Sequence, residues 1–318
     1  GCFSDKIVCV TGGSGLVGRW IIERCRGSAG EIRALSRRPA RSEDKVRWVS
    51  GDIREESVLR RFLEGGDVVV NCAGELMDET RMWDVNVRGT ERLVKMARRC
   101  GVEVFCQISS VGVVGDTTEL WIDEDTPCRP QNVYEKSKLA AEMALRSAEA
   151  DMRIVILRPT NVVDENTPGL LRLVLDGTMA NRLKLFVKGG ECAHLIHAYD
   201  VACAAVFAIG LPVTKPEVFC VSCDHEAHNT IAGLRRLCEA ERRNVTSAEV
   251  GERMRLSPWV THWVRKFIRG SGNMGDVRYS SRKLMNQGFR YELGTIGAVK
   301  RFIAWQEKRE PWDEWAAK

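Results

Sequence analysis

The chain has 318 residues, with 48 Lys and Arg against 43 Asp and Glu and a formal net charge of +5. The arginines are dispersed rather than gathered in a block, which argues against a nucleic-acid partner. Hydrophobic residues make up 44% and charged residues 29%, the balance of a globular chain with a sizeable core. The longest apolar run, Val201 to Val213, is interrupted by Gly210 and Pro212 and is too short to span a bilayer. The 12 cysteines lack the dense spacing of a disulfide scaffold, so a cytoplasmic setting is expected. The first residue is Gly1, which leaves a removed tag or leader open.

Ile7 to Val10 is an uninterrupted apolar run, as in a parallel strand buried on both faces. It enters the glycine loop from Gly12 to Gly18, after which Trp20, Ile21 and Ile22 open a helical pattern. Strand, glycine loop and helix in succession form a dinucleotide-binding arrangement. Gly12 allows the turn, Gly15 the close approach of a pyrophosphate, and Gly18 the packing of helix on strand. The pyrophosphate would meet backbone N–H groups at the helix start, around Ser14, Gly15, Leu16 and Val17.

Further strands are predicted over 31–36, 45–50, 67–72, 102–109 and 153–158, with helices over 55–64, 82–100 and 133–150. This alternation predicts an α/β fold with a doubly wound parallel sheet. Beyond Asp164 the texture changes: a turn and helix to Asp176, a short strand over 183–187, a helix over 199–209 and a strand over 217–222. The segment from Ser257 to Arg269 places Trp259, Trp263, Phe267 and Ile268 at near-helical spacing. It predicts a lid helix over an apolar pocket, with a membrane-surface helix as the alternative.

The run from Cys220 to His228, with Cys223 and His225 between, has the letters of a metal site. However, strand alternation there sets Cys220 and Cys223 on opposite faces, so a strand running into a loop is expected and no metal is assigned.

Tyr134 and Lys138 lie four apart, on one face of a predicted helix. A free phenol titrates near pH ~10, and a neighbouring ammonium is expected to favour its ionised form. Ser109 and Ser110 sit at the carboxyl end of the fifth strand, where ligands of open α/β sheets bind. Ser110 there can hold a carbonyl oxygen while Tyr134 moves the proton and a hydride moves to or from carbon.

Taken together, the glycine loop, Asp52-Ile53, the run Asn71 to Gly74, the run Asn86 to Thr90, Ser109-Ser110, Tyr134 with Lys138, and Arg158 to Val162 resemble the extended short-chain dehydrogenases/reductases. That group includes nucleotide-sugar epimerases, dehydratases and ketoreductases, and relatives acting on steroids and dihydroflavonols. The resemblance implies a Rossmann-like unit over 1–163 plus 195–215, and a smaller substrate-binding region over 164–194 plus 216–318. By the same resemblance Tyr134 is the acid/base, Lys138 its tuning residue and a ribose contact, and Ser110 the carbonyl-orienting hydroxyl. Asp52 and Ile53 match adenine contacts. Cys72, Ala73 and Gly74 match the segment along the cofactor, and Pro159, Thr160, Asn161 and Val162 the loop on the nicotinamide. Asn86 matches a residue concerned with helix and loop geometry. A homodimer through the helices over 82–100 and 133–150 is implied as well.

The second strand ends in Leu35-Ser36-Arg37-Arg38, without the carboxylate that usually holds the NAD ribose. Two guanidiniums beside a small hydroxyl suit a 2′-phosphate, so NADP is expected over NAD. Ala193 stands where nucleotide-sugar enzymes of the resembled group often carry an arginine for the diphosphate. His194 and His197 nearby are candidates for the pocket lining, each with a backbone-satisfied alternative. The sequence therefore predicts an NADP-dependent reductase of a ketone, either a keto-deoxysugar that can be nucleotide-linked or another ketone of similar size. The alternatives are a nucleotide-sugar epimerase or dehydratase with tightly bound NAD, and a non-catalytic NADP-binding sensor or scaffold.

Overall fold

The computed structural model describes residues 3–39, 41–42, 45–147, 152–175, 178–251 and 276–308, with 257, 259, 260, 262, 263 and 267. The first half of the chain lays down β1 (Phe3–Thr11), α1 (Gly18–Arg26), β2 (Ala29–Ser36), β3 (Val46–Ser50), α2 (Glu56–Leu63), β4 (Val68–Asn71), α3 (Glu79–Met82), α4 (Gly89–Arg99) and β5 (Val104–Ile108). It continues through β6 (Trp121–Ile122), α5 (Val133–Arg146), β7 (Arg153–Pro159), β8 (Asn161–Val163), α6 (Leu170–Leu175), α7 (Met179–Lys188), β9 (Leu195–His197) and α8 (Ala198–Ile209). Then come β10 (Glu217–Val221), α9 (Ile231–Arg243), β11 (Arg278–Tyr279) and two helices, Arg282–Asn286 and Gly294–Lys308.

Seven of these strands form one sheet in the order β10-β7-β5-β4-β1-β2-β3, and every pairing in it is parallel. The order reverses between β1 and β4, the point where open α/β sheets bind ligands beyond the strand ends. Both faces are covered, which explains the continuous apolar strands. Trp20, Ile21 and Ile22 of α1 pack one face together with Val201, Ala205 and Ile209 of α8. Leu59 and Phe62 of α2, Leu93 of α4 and Leu145 of α5 cover the other. A smaller core joins Leu171, Ala193, Leu195, Leu234 and Phe302, outside the main sheet.

Three expectations need correction, and a fourth falls largely outside the described residues. Residues 183–187 belong to α7 rather than to a strand, since Thr178 caps that helix through the Asn181 N–H. The stretch 217–221, assigned to the substrate side, supplies the edge strand β10 of the main sheet. The expected helix over 82–100 is not uniform, because a π-turn over Trp83–Arg88 precedes α4. Much of the segment from Ser257 to Arg269 lies outside the described residues; Trp259, Trp263 and Phe267 in it are exposed. No helix among the described residues is long and apolar enough to cross a membrane.

Candidate active site

Two adjoining cavities open at the carboxyl ends of β1, β4 and β5. The smaller, about 200 Å³, is lined by Gly12, Ser14, Gly15, Arg37, Asp52, Ile53, Cys72, Ala73 and Gly74. The larger, about 950 Å³, is lined by Gly15, Leu16, Val17, Cys72, Gly74, Ser110, Tyr134, Lys138, Pro159, Thr160, Asn161 and Val162, among others. Every residue predicted for catalysis or cofactor binding but one lines one cavity or both. The exception is Arg38, whose side chain is exposed and borders neither, while its backbone N–H donates to Ser36 Oγ at 3.1 Å.

The glycine loop fits a dinucleotide for steric reasons. Gly12 has φ of +62°, and a Cβ there would lie 2.9 Å from the backbone of Cys72 and Ala73. At Gly18 a Cβ would strike the Gly12 carbonyl, so α1 starts hard against the turn. At the mouth of the smaller cavity Ser14 Oγ and Ser36 Oγ are 2.7 Å apart. Asp52 is gripped by Arg54, Nε to Oδ1 2.9 Å and Nη2 to Oδ2 3.1 Å, which lowers the pKa of its carboxyl.

The catalytic candidates rest on a buried frame. Asn132 and Glu135 form a reciprocal capping box at the start of α5, which fixes the helix that carries Tyr134 and Lys138. This gives Glu135 a structural role. Asn86, in the π-turn, donates to Ser137 Oγ at 2.9 Å and to the Glu75 carbonyl at 3.1 Å, so it sets loop geometry as expected. Ser110 caps the short 3₁₀ turn Val111–Val114, its Oγ accepting from the Gly112 N–H at 3.1 Å. Beneath it, Ser109 Oγ donates to Glu142 at 2.5 Å, and Glu142 pairs with Arg158 at 2.6 Å, both fully buried.

Lys138 is buried, and its Nζ donates to the Ile108 carbonyl at 3.1 Å. Burial pushes its pKa down to about 8, against the raising influence of Cys72 and Glu142. The same burial raises the Tyr134 phenol, an effect that hydrogen bonding from Ser110 opposes. The Tyr134 phenol is thus shifted up rather than acidified as expected. Burial disfavours both charged forms.

The outer part of the larger cavity was not foreseen. Leu76, Met77, Met82, Val163, Leu170, Ala193 and Leu195 supply its walls, with Glu79 and Asn132 among the few polar groups. Leu76 and Met77 are 61% and 88% exposed, an apolar lip at the mouth. These residues come from loops and short elements with no periodicity to mark them. His194 and His197 line neither cavity. His197 Nδ1 accepts from the Tyr199 N–H at 3.0 Å, the backbone-satisfied reading, while His194 Nδ1 lies 2.6 Å from Asp224.

A family model described as the NAD dependent epimerase/dehydratase family matches residues 8–222. The chain belongs to this family. One curated relative is the N-acetyl-alpha-D-glucosaminyl-diphospho-ditrans,octacis-undecaprenol 4-epimerase of Escherichia coli O157:H7, 32% identical over 174 residues, 52% of this chain and 51% of the relative. Another is the decarboxylating sterol-4-alpha-carboxylate 3-dehydrogenase of Dictyostelium discoideum, 29% identical over 232 residues, 66% of this chain and 68% of the relative. Several of these matches span only about half of the relative's length. Among solved structures, MoeE5 in complex with UDP-glucose and NAD aligns over 96% of this chain and 99% of its own, with a TM-score of 0.71 at 20% identity. That likeness shows a shared Rossmann-like fold with a parallel central sheet.

Proposed function

We propose that this family member is an NADP-dependent oxidoreductase that interconverts an apolar ketone and its alcohol. The observation that carries this reading is the larger cavity. Its inner end gathers Ser110, Tyr134 and Lys138, and its outer walls are apolar, with no arginine among the described lining residues. A nucleoside diphosphate calls for arginines or lysines shaped to its oxygens. Here the wall carries Ala193 instead.

When bound, the nicotinamide supplies or accepts a hydride at carbon. Ser110 donates a hydrogen bond to the substrate carbonyl oxygen, and Tyr134 delivers the phenol proton to that oxygen as the bond to carbon forms. A neutral phenol, which burial maintains, is the correct acid for reduction. Lys138, held by the Ile108 carbonyl, keeps the remaining ammonium hydrogens for a ribose hydroxyl. The apolar walls exclude water from the reacting centre. Arg37, on the smaller cavity beside Ser14 and Ser36, supports a 2′-phosphate and hence NADP. The Dictyostelium relative, named for a sterol substrate, supports an apolar partner.

The second reading is a nucleotide-sugar epimerase with retained NAD, favoured by the E. coli relative and by MoeE5 with its UDP-glucose and NAD. The two separate in one assay. The purified chain is offered NADPH with hydrophobic cyclic ketones, and separately UDP-glucose with NAD. Net NADPH oxidation with a ketone, impaired about tenfold or more in KM by Ala193→Arg, supports the proposal. Sugar epimerisation without net nicotinamide change overturns it. As a further part of the proposal, the chain forms a homodimer through the helices that expose Trp83 and Met143.

A further inference from the structure

We propose that Cys192, His194 and Asp224 form a binding site for a divalent cation of the zinc class, set behind the wall of the larger cavity. The thiol sulfur, an imidazole nitrogen and a carboxylate oxygen lie within 4.8 Å of one another. His194 Nδ1 and Asp224 Oδ2 are 2.6 Å apart. Tetrahedral zinc, with bonds of about 2.0–2.3 Å, separates its donors by roughly 3.3–3.8 Å, so shifts of about 1 Å close the site on an ion. Mixed sulfur, nitrogen and oxygen donors favour this class over magnesium or calcium, which take oxygen alone.

The donors share one scaffold. Asn229 is fully buried, and its Nδ2 donates to Asp224 Oδ1 at 3.2 Å. Its carbonyl accepts from the Ala193 N–H at 2.9 Å and from the Cys192 thiol at 3.2 Å, and its Oδ1 accepts from the Leu195 N–H at 3.0 Å. The Tyr279 N–H donates to Asp224 Oδ2 at 2.9 Å. Such partners orient ligands before an ion arrives. Only His194 among the three keeps substantial exposure, 24% of its side chain, which provides an entry path and a fourth position for water.

Binding releases the Cys192 thiol proton and the proton between His194 and Asp224. Thiolate and carboxylate then balance the two charges of the ion. The ion ties the segment bearing Ala193 and Leu195, both facing the cavity, to the loop after β10. Its role is to stiffen the substrate wall. The cysteine and histidine letters of the 220–228 run mark the wrong partners, since only Asp224 of that run joins the group.

The test uses the full chain, stripped with chelator and titrated with Co²⁺, then competed with Zn²⁺. The proposal expects saturable uptake of one equivalent with a thiolate-to-cobalt charge-transfer band. Cys192→Ser removes that band and weakens Zn²⁺ binding about tenfold to a hundredfold, whereas Cys220→Ser and His228→Ala leave both unchanged. His194→Gln alters the partly exposed member and weakens Zn²⁺ similarly with unchanged far-UV circular dichroism, so it decides the matter if Cys192→Ser fails to fold. Absence of saturable uptake in the wild type, or a band that survives both Cys192→Ser and His194→Gln, overturns the site.

Discussion

Lys138 directs its Nζ to the Ile108 carbonyl, 3.1 Å away, while standing 5.8 Å from the centre of the Tyr134 ring. The ammonium is thus anchored to the end of β5 rather than to the phenol it was expected to acidify. Gly74 makes room for it, since a Cβ there would lie 3.3 Å from Nζ. Burial thus favours a neutral phenol at Tyr134 and brings the pKa of Lys138 down to about 8.

This arrangement fixes a pH dependence of stability. Lys138 falls from the ordinary 10.5 to about 8 on folding, so the unfolded chain binds more protons between those values. Below about pH 8 the folded state bears the full cost of a buried charge, and stability rises with pH through the window above it. Lys138→Met is therefore expected to be more stable than the wild type at pH 7, with the gap shrinking by up to about 3 kcal/mol toward pH 10. The Ile108 carbonyl keeps a partner in the variant, because Gln107 Nε2 also donates to it at 3.2 Å. Urea unfolding at several pH values checks this, and parallel curves count against it.

Arg37 and Arg38 are expected to differ. Arg37 lines the smaller cavity and Arg38 does not. Arg37→Ala is predicted to weaken NADPH binding about tenfold or more while sparing NADH, and Arg38→Ala to change either by less than about threefold. Nicotinamide fluorescence titration measures both. Equal losses for the two cofactors remove the argument for a 2′-phosphate.

Glu142 neutralises Arg158 in a pair whose side chains are 0% and 2% exposed, and it also holds Ser109. Glu142→Ala leaves a buried guanidinium uncompensated, at an expected cost of about 3–5 kcal/mol in denaturant unfolding. Paired replacement with Glu142→Leu and Arg158→Met is predicted to recover much of that loss. A single variant as stable as the wild type contradicts this role.

Which features are legible in the sequence follows from physical type. Strands such as Val68–Asn71 are buried on both faces, so their apolar runs are unbroken and easily read. Tyr134 and Lys138 share a helix face, and spacing alone brings them together. Residues 183–187 mislead because alternating apolar positions suit a strand as well as part of an amphipathic helix, and the capping Thr178 lies five residues earlier. The apolar mouth of Leu76, Met77, Leu170 and Leu195 is assembled from segments far apart in sequence, and no local pattern announces it. Likewise, Asp224 meets His194 only because β10 joins the sheet beside β7 and delivers its following loop there.

The most direct test compares wild type with Tyr134→Phe for ketone reduction by NADPH, with NADPH affinity measured in parallel. Turnover is expected to fall about a hundredfold or more, with the dissociation constant for NADPH unchanged within about twofold. Undiminished reduction by the phenylalanine variant would contradict Tyr134 as the proton donor, and with it the proposed chemistry of this site.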